Sequence, residues 1–183
     1  MEVAQKRLEL LHELVPTAGV IALLVDPADP TLADSVTREL QTAAHTLGLD
    51  LQVLDVSTER DLDATFAKLI QLRAGGLVIT GGAFFLSRIE QFAAWTLRHS
   101  MPAIGNWREF AAAGGLLSYG ADVTDAYRLA GGYTGRILHG DKPTDLPVQQ
   151  VSKVELITNL RTAKALGISV PLALSGRANE LIE

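Results

Sequence analysis

The sequence predicts an α/β protein built on a doubly wound, Rossmann-like parallel sheet. Short, wholly apolar runs rich in Val, Ile and Leu recur along it, as strands buried on both faces require. Between them lie stretches whose apolar residues return at helical spacing. The two kinds alternate along most of the chain, the order that builds parallel β-α-β units. Apolar residues make up 48% of the 183 and aromatic ones only 5%, so the core must come mainly from Ala, Val, Ile and Leu. A domain near this length buries about 70% of the surface its unfolded chain exposes.

Taken in order, Leu8, Leu11 and Val15, with Leu10 and Leu14 beside them, predict a first helix ended by Pro16. Val20 to Val25, bounded by Gly19 and Asp26-Pro27, is the first strand, and residues 32 to 47 form a helix stopped by Gly48. The unit repeats as a strand over 51 to 56 and a helix over 59 to 72, with Leu62, Phe66, Leu69 and Ile70 facing inward. A strand at 76 to 79 is followed by a helix over 87 to 99, whose start Ser87 and Glu90 mark as a capping box. Short strands at 103 to 105 and 116 to 118 flank a small helix around 109 to 113. Beyond Tyr119-Gly120, Asp122 caps a helix to about Leu138 with Val123, Ala126, Tyr127, Ala130, Thr134, Ile137 and Leu138 as its stripe. A polar, turn-rich stretch from Gly140 to Pro147 precedes a strand at 154 to 157, a helix around 160 to 166 and a small terminal helix after Pro171.

The formal charge of −5 is spread without a basic run, which argues against nucleic acid as a partner. With no cysteine there is neither a disulfide framework nor a thiolate metal site. The polar start Met1 to Arg7 lacks the apolar stretch of an export signal, and no later apolar run is long enough to span a bilayer.

Ligands of open α/β sheets bind outside the carboxyl ends of strands, where strand order reverses. That rule selects Asp26 and Asp29 after the first strand, Thr80, Gly81 and Phe84 after the third, Asn106, Trp107 and Glu109 after the fourth, and Tyr119 after the fifth. Together they supply the carboxylates, hydroxyls, amides and aromatic rings of a pocket for a small polar or amphipathic molecule. Each has a plainer reading. Asp26 before Pro27 suits a turn, and Gly81-Gly82 either brings backbone N–H groups to an anion or only permits a tight turn. Phe84, Phe85 and Trp107 either line a cleft or pack beneath it, and Tyr119 suits a hinge.

No catalytic constellation is found. The four histidines, His12, His45, His99 and His139, lie on or just after helices and read as solvated, with no close metal-ligand spacing. There is no G-x-S-x-G elbow, Walker loop or G-x-G-x-x-G after the first strand. Gly131 to Gly135 lies inside a helix, where close packing explains it better than phosphate binding. Asp26 with Asp29 suggests a receiver-like Mg²⁺ site, yet no matching lysine ends a later strand. No cofactor and no metal are expected.

Several segments carry a resemblance as a set: Arg7 to Leu11 with Leu14-Val15-Pro16, Val25 to Pro30, Leu54 to Asp61, and Arg108-Glu109-Phe110 with Ala113 to Leu116. Ser118-Tyr119-Gly120 with Asp125 to Arg128, Gly135 to Leu138 through Lys142-Pro143 to Gln149, and Asn159-Leu160 with Thr162 to Gly167 complete it. In these residues the chain resembles the ABC transporter substrate-binding proteins of the tryptophan/tyrosine-type group, a type I periplasmic-binding fold, but only their later part. The resemblance implies two lobes closing over an organic solute, amino-acid-like or aromatic, for delivery to an ABC permease in the periplasm. It places solute contacts near Asp26 and Asp29, Thr80 to Phe84, and Asn106 to Glu109. The chain departs from the family pattern in carrying Asp26 where Asn is usual.

On this reading residues 1–118 are the ligand-binding lobe, 119–150 a crossover helix and return segment, and 151–183 a strand and helices packing back on the lobe. The resemblance also implies a missing first lobe, so the stripe of the helix at 123 to 138 lacks cover and is expected to drive homo-oligomer formation. The second functional reading is the effector-sensing domain of a transcription regulator, which shares the fold and which an upstream helix-turn-helix would favour.

Overall fold

The computed structural model describes residues 3–149 and 153–183. The polar start at Met1-Glu2 and the expected boundary between 150 and 151 fall outside the described residues. The chain begins with α1 (Val3–Leu14), β1 (Val20–Val25), α2 (Pro30–Leu47), β2 (Asp50–Asp55), α3 (Glu59–Gln71) and β3 (Gly76–Ile79). It continues through α4 (Ala83–Leu86), α5 (Ile89–Arg98), β4 (Ala103–Gly105), α6 (Arg108–Ala112) and β5 (Leu117–Ala121). After α7 (Val123–Leu138) come β6 (Val154–Asn159), α8 (Leu160–Ala165), α9 (Leu172–Ser175) and β7 (Glu180–Ile182).

Among the described residues seven strands form one sheet in the order β2-β1-β3-β4-β5-β6-β7. Pairing from β2 through β5 is parallel, as the alternation of apolar runs and helices predicts. β6 runs antiparallel to β5, with Leu117 opposite Thr158 and Ala121 opposite Val154, and β7 joins β6 in parallel. Strand order reverses between β1 and β3, since β2 lies on one side of β1 and all later strands on the other.

Alternation along β1 splits the core into two layers. Ile21, Leu23 and Val25 face Leu8, Leu11 and Leu14 of α1 and Leu40 of α2. Ala22 and Leu24 face Leu62, Phe66 and Leu69 of α3 and Phe92 of α5. Such apolar contact fixes α1 and α3 on opposite faces, each fully covered leucine contributing about 1.5–3 kcal/mol.

Five local expectations need correction. Ile70, expected to face inward with Leu62, Phe66 and Leu69, is 57% exposed, because the buried face of α3 is carried by Leu62, Thr65, Phe66 and Leu69. The helix expected over 87 to 99 is two: Ser87 ends α4, its hydroxyl donating to the Phe84 carbonyl at 2.9 Å, and α5 starts at Ile89 behind Arg88. A capping box does occur at Thr58, whose amide donates to Asp61 Oδ2 at 2.9 Å. Hydrogen bonding to the Thr58 side chain, and then to the Ser57 and Thr58 amides, holds the Asp61 carboxyl below its ordinary pKa. β5 reaches Ala121, so Ser118 to Gly120 are strand because β6 offers them an antiparallel partner. Gly131, Gly132 and Gly135 pack against nothing among the described residues, since a Cβ at any of them would meet nothing within 4 Å. His12 is half-buried rather than solvated, its Nδ1 covered in α1.

Candidate functional site

The carboxyl ends of β1, β3, β4 and β5 lie side by side because these strands are consecutive in the sheet and parallel. β1 delivers Asp26, which is half-buried; its Oδ1 accepts the Ala28 amide at 2.9 Å and closes a turn. Asp29 follows on the surface, where its Oδ1 accepts the Leu32 amide at 3.1 Å and caps α2. β3 delivers Thr80, 2% exposed, whose amide extends the ladder to the Leu24 carbonyl at 3.3 Å.

Gly81 and Gly82 come next. Gly82 has φ of 140°, a backbone state that side chains with a Cβ resist. A Cβ there would stand 3.8 Å from Asp26 Oδ2, and one at Gly81 would stand 2.9 Å from Asn106 Nδ2. The glycine pair is therefore a floor with a carboxylate oxygen at one end and an amide nitrogen at the other, at the point where strand order reverses.

Asn106 is held from behind. Arg7 of α1, only 6% exposed, donates through Nη2 to Asn106 Oδ1 and through Nε to the Tyr119 carbonyl at 2.7 Å. A guanidinium only donates, so the oxygen of Asn106 must face it and Nδ2 must face Gly81. Burial pulls the Arg7 pKa down to about 10, against the pull of Glu39, and the group stays charged at neutral pH. On the β5 side the Asn106 backbone presses on Gly120, where a Cβ would sit 1.9 Å from the Asn106 carbonyl oxygen. Only glycine admits that approach.

Phe84 is half-buried, edge-on to Phe85 at 5.5 Å, with the Arg88 guanidinium 4.5 Å over its ring. Trp107 is half-buried against the α3–α5 layer, and Tyr119 against the α1 layer. Glu109 is exposed in the first turn of α6. The structure thus sets Asp26 beside Gly82 and Asn106 beside Gly81, with Arg7 tying Asn106 to the Tyr119 carbonyl and Thr80 buried next to the glycines, while Asp29 is engaged as a cap and Glu109 is exposed. Arg7 is the residue that sequence reasoning missed. Its signal was present: it falls on the apolar stripe between Ala4 and Leu11, where a charge requires a partner.

An open depression of about 450 Å³, lined by Leu160, Lys164, Gly167 and Ser175, lies after β6. Because β6 is antiparallel, that is the opposite end of the sheet from the glycine pair. Among the described residues no three His, Asp or Glu side chains gather as a metal site, and no helix is long and apolar enough to cross a membrane.

No curated protein matches the chain in sequence. Solved structures do match its fold. An ABC domain from Streptococcus pneumoniae in complex with L-Trp is 22% identical with a TM-score of 0.86, over 99% of this chain and 61% of that one. A conserved domain protein from Vibrio cholerae O1 biovar El Tor is 22% identical with a TM-score of 0.84, over 97% and 60%. A ligand-free, open substrate-binding protein with adhesive properties from Clostridium difficile is 19% identical with a TM-score of 0.70, over 97% and 59%. The chain thus spans about 60% of the length of these structures. The family model described as ABC transporter substrate binding protein matches residues 1–182, and the chain belongs to that family.

Proposed function

We propose that the chain is the solute-gripping lobe of an ABC-transporter substrate-binding protein, and that it holds a small amino-acid-like or aromatic molecule without covalent chemistry. The observation that carries this reading is the glycine floor at the switch point, with Asp26 Oδ2 at one end and Asn106 Nδ2 at the other. One acceptor and one donor flanking bare backbone suit the two ends of a zwitterion. Asp26 in place of the usual Asn favours the ammonium end on its side. Phe84 and Trp107 offer flat apolar surface for a side chain. The structure from Streptococcus pneumoniae with L-Trp supports the choice of ligand class.

In this reading residues 1–118 are the lobe and 119–150 the return segment, and closure against a second lobe completes the site before delivery to a permease outside the cytoplasmic membrane. The exposed stripe of α7 is the surface awaiting cover. In the chain alone a second copy is the available cover, so self-association is expected.

Calorimetric titration with L-tryptophan, L-valine and indole-3-propionate tests the site. Saturable binding of at least one is expected, weakened about tenfold or more by Asp26→Ala and by Asn106→Ala, since each removes one charge-assisted or amide contact. Absence of saturable binding by all three up to about 10 mM, or affinities indifferent to both substitutions, would sink the reading.

A further inference from the structure

We infer that Arg7 is a positioning residue of the solute site: it turns the Asn106 amide so that the β4 corner presents a hydrogen-bond donor and accepts a carboxylate. This rests on the solute-binding reading above. Arg7 reaches from α1 to two strands at once, Nη2 to Asn106 Oδ1 and Nε to the Tyr119 carbonyl, across sequence separations of 99 and 112 residues. Asn106 follows the carboxyl end of β4, Tyr119 lies within β5 beside it, and the guanidinium itself is buried. It reaches the site through Asn106 and the Tyr119 backbone.

The orientation has one stable choice. Rotating the amide by half a turn would aim two N–H groups at a buried cation and leave Oδ1 over Gly81, losing a charge-assisted hydrogen bond where water cannot replace it. The Asn106 backbone has no slack either, because its carbonyl lies in the space that any side chain at 120 would need. The amide is therefore fixed from two sides, and the floor left open by Gly81 meets Nδ2. With Asp26 Oδ2 beside Gly82, the polarity of the cleft runs from acceptor to donor along the glycine pair. A solute with a carboxylate at the β4 end and a cation at the Asp26 end matches both, and one that offers only a cation meets the Asp26 end alone.

Lysine brings its donors to a single nitrogen and lacks the planar fork that reaches two separated acceptors in fixed geometry. Arg7→Lys should thus retain the charge and lose part of the orientation, whereas Arg7→Met loses both. Asn106→Asp keeps the pairing with Arg7, so the fold survives, but it replaces the donor over Gly81 with an acceptor.

Side-chain amide resonances of ¹⁵N-labelled protein read the orientation directly, the Asn106 pair being the one that Asn106→Asp deletes. In the wild type L-tryptophan should move that pair and tryptamine, its decarboxylated analogue, should not. Arg7→Met should shift the pair in the absence of any ligand and weaken L-tryptophan binding about tenfold or more, with Arg7→Lys intermediate. Asn106→Asp should reverse the preference towards tryptamine. A pair that stays in place in both Arg7 variants, or equal affinity of the wild type for the two compounds, overturns the inference. If the wild type binds neither compound, the solute reading and the carboxylate preference fail together. The ligand-free spectra then decide the orienting role by themselves: a moved pair amid unmoved β4 and β5 backbone amides upholds it, and an unmoved pair refutes it. Should Arg7→Met not fold, Arg7→Lys carries the same comparison.

Discussion

Helix α1 buries Ala4, Arg7, Leu8, Leu10, Leu11 and Leu14, whereas the longer α7 buries no residue at all. Both carry an apolar stripe at helical spacing. The stripe of α1 lies on the sheet among Ile21, Leu23 and Val78, while on α7 Tyr127 is 76% and Leu138 81% exposed. Periodicity records that a face is apolar; whether the same chain supplies its cover is a separate fact, decided by tertiary placement. α1 precedes β1 and is drawn onto the sheet by a short connection. α7 leaves β5 at Asp122, and the chain returns to the sheet only as β6.

The sharpest way to break this comparison is a matched pair of truncations. Leu11→Ala removes a side chain with 0% exposure from a packed layer and should cost about 2–5 kcal/mol in urea unfolding. Leu138→Ala should stay within about 0.5 kcal/mol for a monomeric chain. Equal costs would mean that α7 is covered in solution. Sedimentation at several concentrations then shows whether Leu138→Ala also reduces association, as the proposed self-association requires. A wild-type chain that stays monomeric throughout removes that proposal.

How the two helices are anchored explains what was legible in the sequence. β1 and β3 were readable because burial on both faces leaves continuous apolar runs, a signal set by local sequence, and the remaining parallel strands followed from their alternation with helices. β7 was not foreseen, because Glu180 to Ile182 forms a strand only through β6 beside it, and three residues carry no periodicity. The break between α4 and α5 was missed because Ser87 and Glu90 imitate a cap, whereas the chain instead turns so that Phe85 enters the core. At the site, the strand ends selected Asp26, Gly81 and Asn106. The bond from Arg7 to Asn106 spans 99 residues and has no local trace beyond a charge on an apolar stripe.

Without buried side chains, α7 depends on its first turn. Asp122 accepts the Asp125 amide at 3.0 Å and the Lys153 ammonium at 2.6 Å, and its own amide donates to the Lys153 carbonyl at 3.0 Å. The hydrogen bond from Lys153 leads in holding the Asp122 carboxyl below its ordinary pKa of 3.8, and the one to Asp122 leads in raising Lys153 above 10.5. The depressed carboxyl adds stability that is present above 3.8 and lost as pH falls through its folded value. The raised ammonium adds stability present below 10.5 and lost as pH climbs through its own. Hydrogen exchange at neutral pH should therefore show α7 amides less protected in Asp122→Asn, with α1 unchanged. The difference from wild type should close on acidification below 3.8. Loss of protection in α1 as well would mean the two helices are not independently anchored.

The smallest effect concerns the glycines that α1 lacks. Gly131, Gly132 and Gly135 stand inside α7 with open space where a side chain would project. In an uncovered helix, Gly132→Ala gains backbone order at no steric cost and should stabilise the chain by about 0.5–1 kcal/mol. If these positions instead admit a close neighbour, whether a second lobe or a second copy, the added methyl occupies the space that neighbour needs. Thermal melts at low concentration and sedimentation at high concentration separate the two cases. A more stable monomer that associates less well identifies the glycine face as a contact surface, and a more stable monomer with unchanged association confines the contact to the Tyr127 and Leu138 stripe.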